Sequence, residues 1–346
     1  MTNTRLTIAV LLLAAAALLS TASVIKSPAE RICNECGRKI TGSYFETGSH
    51  FHHPECFTCE YCGKPIKSAY TTYKNGKYHN DCFQNHIALR CAVCNGVIQG
   101  QYLLDYWGNG YHTSHKGSVL QCDFCQRFVV GDLIDGMVRF PDGQRYCGLC
   151  ARSTVTSVKE ARELMVDVAG YLDDFGIRVD AKKIRLRLVD QHELKTVASA
   201  HTNDTKGFTD YYVKKNLFGR VRAETIDVYI LRGMHRVQMI STLAHELTHV
   251  WQFERGRLKQ DPGLSEGSCN FAAYLVLRKV GGVEAEYVID GMIKDNDPIY
   301  GDGFRKVKSY AEENGIANWL KLLKRKNATL SNLGSDFSTI VTYPAN

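Results

Sequence analysis

The sequence of 346 residues lacks a second membrane-length apolar run and has little cysteine in its later part. After the N-terminal apolar stretch, no segment is long and apolar enough to span a bilayer. Residues 151–346 contain one cysteine, Cys269, although the chain has 13. Apolar residues make up 44% and charged residues 23%, which excludes a polytopic membrane protein, a collagen and a wholly disordered chain. The uneven cysteines predict two differently built halves, the first of which needs cross-links because it cannot bury enough apolar area alone.

The N-terminus carries Arg5 and then an apolar run from Leu6 to Leu19, followed by small residues. This pattern is typical of a secretory signal peptide cleaved after Ala22 and predicts an exported protein, periplasmic or secreted. The alternative is an uncleaved anchor that tethers the protein to the membrane, because apolar character extends to Ile25. Exported cysteine-rich chains usually form disulfides, but the cysteine spacing argues against them here.

The cysteines and histidines of residues 33–82 recur at a fixed interval. A Cys-x2-Cys knuckle is followed, sixteen residues later, by a His-x2-Cys knuckle, and the arrangement occurs twice. Two intervening residues let a tight turn aim both side chains at one tetrahedral zinc, and each ion needs two knuckles. The predicted ligands are Cys33, Cys36, His53 and Cys56 for the first ion, and Cys59, Cys62, His79 and Cys82 for the second.

Residues 91–150 repeat this architecture with exchanges between sulfur and imidazole ligands, which zinc accepts. Eight alternating knuckles favour four zinc sites over disulfides or a redox pair. Sites with four protein ligands are closed, so we expect these ions to be structural. The predicted ligands are Cys91, Cys94, His112 and His115 for the third ion, and Cys122, Cys125, Cys147 and Cys150 for the fourth.

Residues 33–82, with the stretch His53-Pro54-Glu55-Cys56-Phe57, resemble the LIM double zinc finger, and residues 91–150 resemble a divergent LIM-like copy. This resemblance implies short zinc-held hairpins that recognise a protein partner. The formal net charge of +7 does not predict a nucleic-acid partner, since the basic residues form no stripe and no finger helix with its own ligand interval is present.

From Thr154 onward the composition is that of an ordinary globular domain. Hydrophobic periodicity predicts an amphipathic helix, a half-buried strand, a hairpin or meander, and a buried helix. These elements are Ser157–Phe175, Ile184–Val189, Lys206–Ile230 and Met239–Phe253, respectively.

The last of these helices contains His245-Glu246-x-x-His249. A separation of four residues puts both imidazoles on one helix face, where they can hold one metal while Glu246 acts on a water. The alternative is a helix with two packed histidines and a solvated Glu246. The apolar neighbours disfavour this alternative, since burying such polar groups without a metal or partner is costly.

A catalytic zinc needs a third protein ligand. No histidine follows His249, which removes a downstream histidine as the third ligand. We predict Glu266, which opens a second apolar helix seventeen positions after His249 and would return to the metal in an antiparallel arrangement. The other candidates are Asp261, which lies in a Pro-Gly turn, and Glu254, which helix periodicity turns away from His249. Cys269 is expected to be a small buried residue, with a reactive nucleophile as the alternative.

The order of LIM, LIM-like and HExxH regions resembles the plant family of LIM-domain peptidases that limits organ size, whose plant members are activated by ubiquitin. The resemblance rests on residues 244–251, on Glu266-Gly267 with Cys269, and on residues 300–305. It implies an α+β fold of tandem zinc-ribbon LIM-type modules followed by a gluzincin-like, or zincin, metallopeptidase domain. It also implies that the strand Ile226–Leu231 is an edge strand that aligns an extended substrate.

The chain departs from this family because no ubiquitin-interacting helix precedes the LIM block, and a signal-like segment stands there instead. Ubiquitin is therefore not expected as a partner. The expected domains are residues 1–22, signal peptide or anchor; 31–88, LIM; 89–152, LIM-like zinc-binding; and 153–346, zincin-like peptidase.

These patterns predict a zinc-dependent endopeptidase with one catalytic and four structural Zn²⁺ ions, acting on a protein or peptide substrate. Zinc would lower the pKa of a water and polarise the scissile carbonyl, while Glu246 moves the proton to the leaving amine. The oxyanion needs a donor, for which Tyr300 is the first candidate and Arg305 the second. Tyr300 could instead be an ordinary turn aromatic. The alternative function is a non-enzymatic zinc-binding LIM adaptor or scaffold.

Overall fold

The computed structural model describes residues 19–20, 24–26, 31–129, 136–140, 143–198, 205–215, 221–255, 260–325 and 327–333. The predicted signal peptide or anchor, residues 1–22, lies outside the described residues except for 19–20. The chain divides into two compact units, which we call the cysteine-rich unit, with described residues up to 120 and 126–129, and the helical unit, with residues 121–125 and those from 136 onward. None of the described helices has the length and apolar character needed to cross a bilayer.

Short antiparallel hairpins make up the cysteine-rich unit. Strand β2 pairs with β5 and β1 with β7, which adds a third strand to two of the hairpins. The strands are β1 (Leu19–Ser20), β2 (Val24–Lys26), β3 (Arg31–Ile32), β4 (Lys39–Ile40), β5 (Ser43–Thr47), β6 (His50–His52), β7 (Tyr70–Tyr73), β8 (Gly76–His79), β9 (Tyr102–Leu104) and β10 (Gly110–His112), with a helical turn α1 (Asn80–Cys82) after β8. The buried residues form small separate clusters, such as Cys33, Ile40 and Tyr44, which are too few to stabilise the hairpins alone.

The helical unit begins with a fifth hairpin, β11 (Met137–Arg139) and β12 (Arg145–Cys147), followed by the short helix α2 (Gly148–Ala151). Next comes α3 (Val158–Asp174), which confirms the amphipathic helix predicted at Ser157–Phe175. Its buried side chains recur at helical spacing: Ala161, Leu164, Met165, Val168, Ala169 and Leu172. This face joins the main apolar core of the unit.

A three-stranded sheet lies in the same core, with the strand order β13, β15, β14. Strand β13 (Ile184–Val189) pairs in parallel with β15 (Val221–Leu231), and β14 (Gly207–Lys215) pairs antiparallel with β15. The predicted strand and hairpin are confirmed, but the edge-strand prediction is wrong. Residues 226–231 belong to β15, the central strand, whose backbone groups are used on both sides. The edge strand that contacts the HExxH helix is β14.

The remaining helices are α4 (Gln191–Val197), α5 (Arg236–Glu254), α6 (Pro262–Val280), α7 (Val283–Lys294), α8 (Gly301–Asn314) and α9 (Ile316–Leu323). Of these, α4 and α5 pack against this sheet, α6 packs on α5, and α8 packs on α6 and α9. Helices α4, α5, α6, α8 and α9 contribute to the main core, whereas the buried residues of α7 form a smaller cluster with Leu277 of α6. Helix α5 contains the predicted segment Met239–Phe253. Helix α6 begins four residues earlier than predicted, because Asp261 caps it through the Leu264 N–H and Pro262 fills its first turn. Glu266 therefore lies in the second turn of α6.

Candidate metal centre

The twelve cysteines and four histidines predicted as structural ligands meet in four clusters. Each cluster has the predicted membership: Cys33, Cys36, His53 and Cys56; Cys59, Cys62, His79 and Cys82; Cys91, Cys94, His112 and His115; Cys122, Cys125, Cys147 and Cys150. All 13 cysteines are free thiols, so no disulfide competes with these groupings. The clusters are consistent with structural zinc binding in LIM-type modules.

Three of the cluster histidines are oriented in the same way. The Nε2 atoms of His53, His79 and His112 lie 3.3, 3.1 and 3.2 Å from backbone carbonyl oxygens. Their Nδ1 atoms each lie 3.4 Å from a cysteine Sγ of the same cluster. An Nε2–H that donates to a carbonyl fixes the tautomer and leaves the Nδ1 lone pair free for a metal.

The sulfur spacing in the fourth cluster also fits zinc. The Sγ atoms of Cys125 and Cys147 lie 3.8 Å apart. Four thiolates around a tetrahedral zinc, at Zn–S distances of about 2.3 Å, are separated by about 3.8 Å, whereas a disulfide requires about 2.05 Å. This cluster therefore has the dimensions of a zinc site.

The residue after each leading Cys-x2-Cys knuckle has a left-handed backbone conformation. Gly37 and Gly63 have φ values of 68°, Asn95 of 56° and Gln126 of 60°. In the first three knuckles this residue donates its N–H to the carbonyl of the first cysteine, at 2.8 Å in each case. The resulting tight turn carries both thiols of the knuckle on the same side.

Helices α5 and α6 bring together the residues predicted for the second kind of metal site. The Nε2 atoms of His245 and His249 lie 3.1 Å apart, and Glu266 Oε2 lies 3.1 and 3.2 Å from them. A tetrahedral zinc with N and O ligands at about 2.05 Å places them about 3.3 Å apart. The three atoms thus form a triangle with the edges that a zinc site needs. The two other predicted carboxylates are engaged elsewhere, since Asp261 caps α6 and Glu254 lies beside Arg255.

Two amide side chains contact the imidazoles at Nδ1, the ring nitrogen that does not belong to the triangle. Asn270 Oδ1 lies 2.9 Å from His245 Nδ1, and Gln252 Oε1 lies 3.1 Å from His249 Nδ1. Each amide oxygen can only accept, so each Nδ1 carries the proton and each Nε2 presents a lone pair to the triangle. Neither amide was predicted. The sequence signal is helix periodicity, since Gln252 follows His249 by three positions and Asn270 follows Glu266 by four.

Cys269 is fully buried beside His249, on the Nδ1 side of the ring where Gln252 also lies. Its Sγ lies 3.4 Å from His249 Nδ1 and 3.6 Å from Gln252 Oε1. The thiol can be grouped with the two histidines by proximity. We nevertheless assign Glu266 as the third member, because Cys269 faces Nδ1 and Glu266 faces both Nε2 atoms. Burial raises the pKa of Cys269 to about 11, so it is a neutral thiol, and its complete burial agrees with the expected small buried residue.

Glu246 lies next to His245 on α5 and is 5% exposed. Its Oε2 accepts a hydrogen bond from the Thr209 hydroxyl of strand β14, at 2.7 Å. The carboxylate of the HExxH motif is therefore held by the strand that forms the sheet edge, a contact that the sequence did not reveal.

The structure places Tyr300 at the site and Arg305 away from it. The ring of Tyr300 lies beside that of His245, with centroids 6.3 Å apart, and its backbone oxygen accepts from Asn270 Nδ2 at 3.2 Å. Burial, together with the Glu266 carboxylate, raises the pKa of Tyr300 to about 12, so its hydroxyl remains a donor at neutral pH. The Arg305 guanidinium donates to the carbonyls of Ile293 and Asp295 at the end of α7 and pairs with Asp302.

Comparison with known proteins places the cysteine-rich part in a defined class. The model of the LIM domain matches residues 33–86, so this chain contains a LIM domain. Over most of its length it is also similar to plant LIM proteins. It is 24% identical to Protein DA1-related 2 of Arabidopsis thaliana, across 84% of this chain and 68% of that protein.

Two further relatives have similar values. Protein DA1 of Arabidopsis thaliana is 23% identical, across 84% of this chain and 66% of its own length. LIM domain-containing protein HDR3 of Oryza sativa subsp. japonica is 22% identical, across 86% and 74%. The chain is thus homologous to DA1 and DA1-related LIM proteins and spans about two thirds of the length of the two Arabidopsis relatives.

Proposed function

We propose that the helical unit is a gluzincin-like, zinc-dependent endopeptidase. The observation that carries this proposal is the triangle of His245 Nε2, His249 Nε2 and Glu266 Oε2, with the Glu246 carboxylate next to it on α5. Three protein ligands leave a fourth tetrahedral position open, whereas the four cysteine clusters are closed. A structural metal site needs no adjacent carboxylate, and a hydrolytic site does.

In this proposal each residue of the site has a separate role. Zinc, when bound to the triangle, supplies Lewis acidity and lowers the pKa of water. Asn270 and Gln252 fix the tautomers of the two histidines. Glu246 takes a proton from the attacking water and delivers it to the leaving nitrogen. We assign the protonated Tyr300 hydroxyl as the donor to the developing oxyanion, because its ring lies beside that of His245.

The LIM and LIM-like modules would supply protein recognition or regulation. LIM domains commonly mediate protein–protein contacts, and closed zinc sites have no open position for catalysis. Export stays a prediction of the N-terminal sequence, which a secreted reporter fused after residue 30 would test.

The test of the peptidase proposal is Glu246→Gln, which keeps the size and packing of the side chain but removes the base. We expect the purified protein to retain about five zinc ions per chain and to lose cleavage of fluorescein-labelled casein. Glu254→Gln is the matched control, since it makes the same change at the end of the same helix, beside Arg255. Cleavage that survives in Glu246→Gln would refute the assignment.

The second candidate is a zinc-binding LIM adaptor without catalysis, which the LIM match favours. Zinc counting separates the two functions, because an adaptor should hold about four tightly bound ions and no exchangeable fifth. A fifth ion that dissociates first on chelation, together with loss of casein cleavage, supports the peptidase.

A further inference from the structure

Strand β14 encloses the Glu246 carboxylate through two residues. The Thr209 hydroxyl lies 2.7 Å from Oε2 and 3.2 Å from the Glu246 backbone oxygen. Gly207 lies against the other oxygen, since a Cβ added there would be 2.7 Å from Oε1 and 2.9 Å from the Glu246 Cγ. A methyl group cannot occupy that position without displacing the carboxylate.

These two contacts make the carboxylate oxygens unequal. Oε2 has a buried donor within hydrogen-bond distance, while no donor to Oε1 is present in the described part of the chain. A carboxylate oxygen that already accepts a strong hydrogen bond is the poorer proton acceptor of the two. Because Gly207 has no side chain, Oε1 can keep its position against the strand.

We propose that Thr209 and Gly207 are positioning residues that hold Glu246 so that Oε1, and not Oε2, exchanges the proton. This inference rests on the proposed peptidase function. The water oxygen bonds to the carbonyl carbon and one of its protons passes to Oε1. The same proton then moves to the leaving nitrogen as the C–N bond breaks. The Thr209 hydroxyl bonds to Glu246, and Thr209 acts through that residue.

Strand geometry explains why these two residues act together. Positions 207 and 209 are two apart on β14, so they face the same side of the sheet. Their partners on β15 are Ile230 and Val228, both fully buried, which fixes that side as the one facing α5. A one-residue register shift would turn Thr209 away from Glu246.

The first experiment compares Thr209→Val with Thr209→Ser. Valine has nearly the same shape but no hydroxyl, whereas serine keeps the donor. We expect valine to lower kcat on fluorescein-labelled casein by roughly 10- to 100-fold, with KM and zinc content unchanged. Serine should restore kcat to within about threefold, which a purely structural role for the side chain would not predict.

The matched control is Thr242→Val, which makes the same change on α5 beside the same strand. The Thr242 hydroxyl donates to Gln238 O of its own helix at 3.0 Å, and its methyl group lies near Gly207. We expect this variant to behave as the unsubstituted protein.

A binding measurement gives a readout other than turnover. Acetohydroxamate transfers its hydroxyl proton to a neighbouring base when it binds a zinc site. Calorimetry of the zinc-loaded protein should show roughly tenfold weaker binding in Thr209→Val and unchanged binding in Thr242→Val. Gly207→Ala is the second variant if the valine variant folds poorly. Its methyl group would overlap both Oε1 of Glu246 and the Thr242 methyl group, and we expect it to displace the carboxylate.

Three outcomes are distinguishable. Equal casein cleavage and hydroxamate affinity in Glu246→Gln and the unsubstituted protein would overturn the proposed function itself. An inactive Glu246→Gln with normal Thr209→Val and Gly207→Ala would overturn only the positioning role. Loss of kcat and hydroxamate affinity in both strand variants, with rescue by serine, supports it.

Discussion

Gly267 and Gly303 meet backbone to backbone where α6 and α8 cross. A Cβ on Gly267 would lie 2.3 Å from the carbonyl carbon of Gly303. Gly267 follows the predicted ligand Glu266 by one position, and Gly303 follows Tyr300 by three positions. The close approach of the two helices is therefore what brings Tyr300 to the metal triangle.

We expect Gly267→Ala to force α6 and α8 apart, to destabilise the fold by about 1–3 kcal/mol and to lower kcat more than zinc content. Gly291→Ala is the control, because Gly291 lies within helix α7 with nothing near its absent Cβ. That change should stabilise the protein by about 0.5–1 kcal/mol. Urea unfolding and casein cleavage measure both effects, and equal behaviour of the two variants contradicts the crossing argument.

Tyr300→Phe removes the hydroxyl and keeps the ring beside His245. If the hydroxyl donates to the oxyanion, kcat should fall by roughly 10²-fold while KM and zinc content stay unchanged. Arg305→Lys should instead lower stability, since its guanidinium binds the carbonyls at the end of α7. Steady-state kinetics and thermal melts separate the catalytic effect of Tyr300→Phe from the stability effect of Arg305→Lys. A normal kcat in Tyr300→Phe would exclude its hydroxyl as the oxyanion donor.

Asn270→Ala removes the acceptor for His245 Nδ1–H and the donor to the Tyr300 carbonyl. We expect zinc affinity at the triangle to fall by roughly 10- to 100-fold, without loss of the four ions in the cysteine clusters. Asn270→Asp keeps the acceptor and should retain zinc, although it loses the link to Tyr300. Competition with a chromogenic chelator measures the zinc affinity. Unchanged affinity in Asn270→Ala would contradict the proposal that Asn270 orients His245 for the metal.

His235 is 5% exposed, and its ring stacks on that of Phe124 with centroids 3.9 Å apart. Its Nδ1 accepts from the Val237 N–H at the start of α5. Burial lowers the pKa of His235 to about 4, although the carboxylate of Glu284 and the thiolate of Cys122 oppose the shift. Between pH 4 and pH 6.5, the imidazole is therefore mostly neutral in the folded protein and mostly protonated in the unfolded chain.

The stability due to neutral His235 is complete above pH 6.5 and is lost as pH falls toward 4. Between pH 7.5 and 5 we expect a loss of about 2 kcal/mol relative to His235→Asn, which can cap the helix but does not titrate. Urea unfolding of both proteins at each pH measures the difference, and effects of acid on the zinc clusters largely cancel. Parallel pH profiles would contradict the prediction.

Local patterns were sufficient for the elements and for most of the metal ligands. Ligand spacing predicted the four clusters, and periodicity predicted α3, β13 and the HExxH helix. Glu266 lies where the sequence placed it relative to the two histidines. The start of α6 is also set locally: Asp261-Pro262-Gly263 has the composition of a turn, but Asp261 caps a helix whose first residue is Pro262.

Tertiary relationships could not be predicted. The alternating pattern at residues 226–231 identifies a strand but not its neighbours, so it did not show that β15 is central. The contact between Thr209 and Glu246 depends on how β14 lies on α5. The role of Arg305 depends on where α7 ends, and that of Gly303 on which helix crosses it.

The imidazoles of His53, His79 and His112 donate to the backbone carbonyls of Lys39, Pro65 and Val97. Each ligand is thus attached to the hairpin that its cluster closes, and metal uptake and chain folding are a single equilibrium in these modules. Chelators should therefore act on the cysteine-rich unit as denaturants do, by unfolding it cooperatively instead of extracting ions from an intact scaffold.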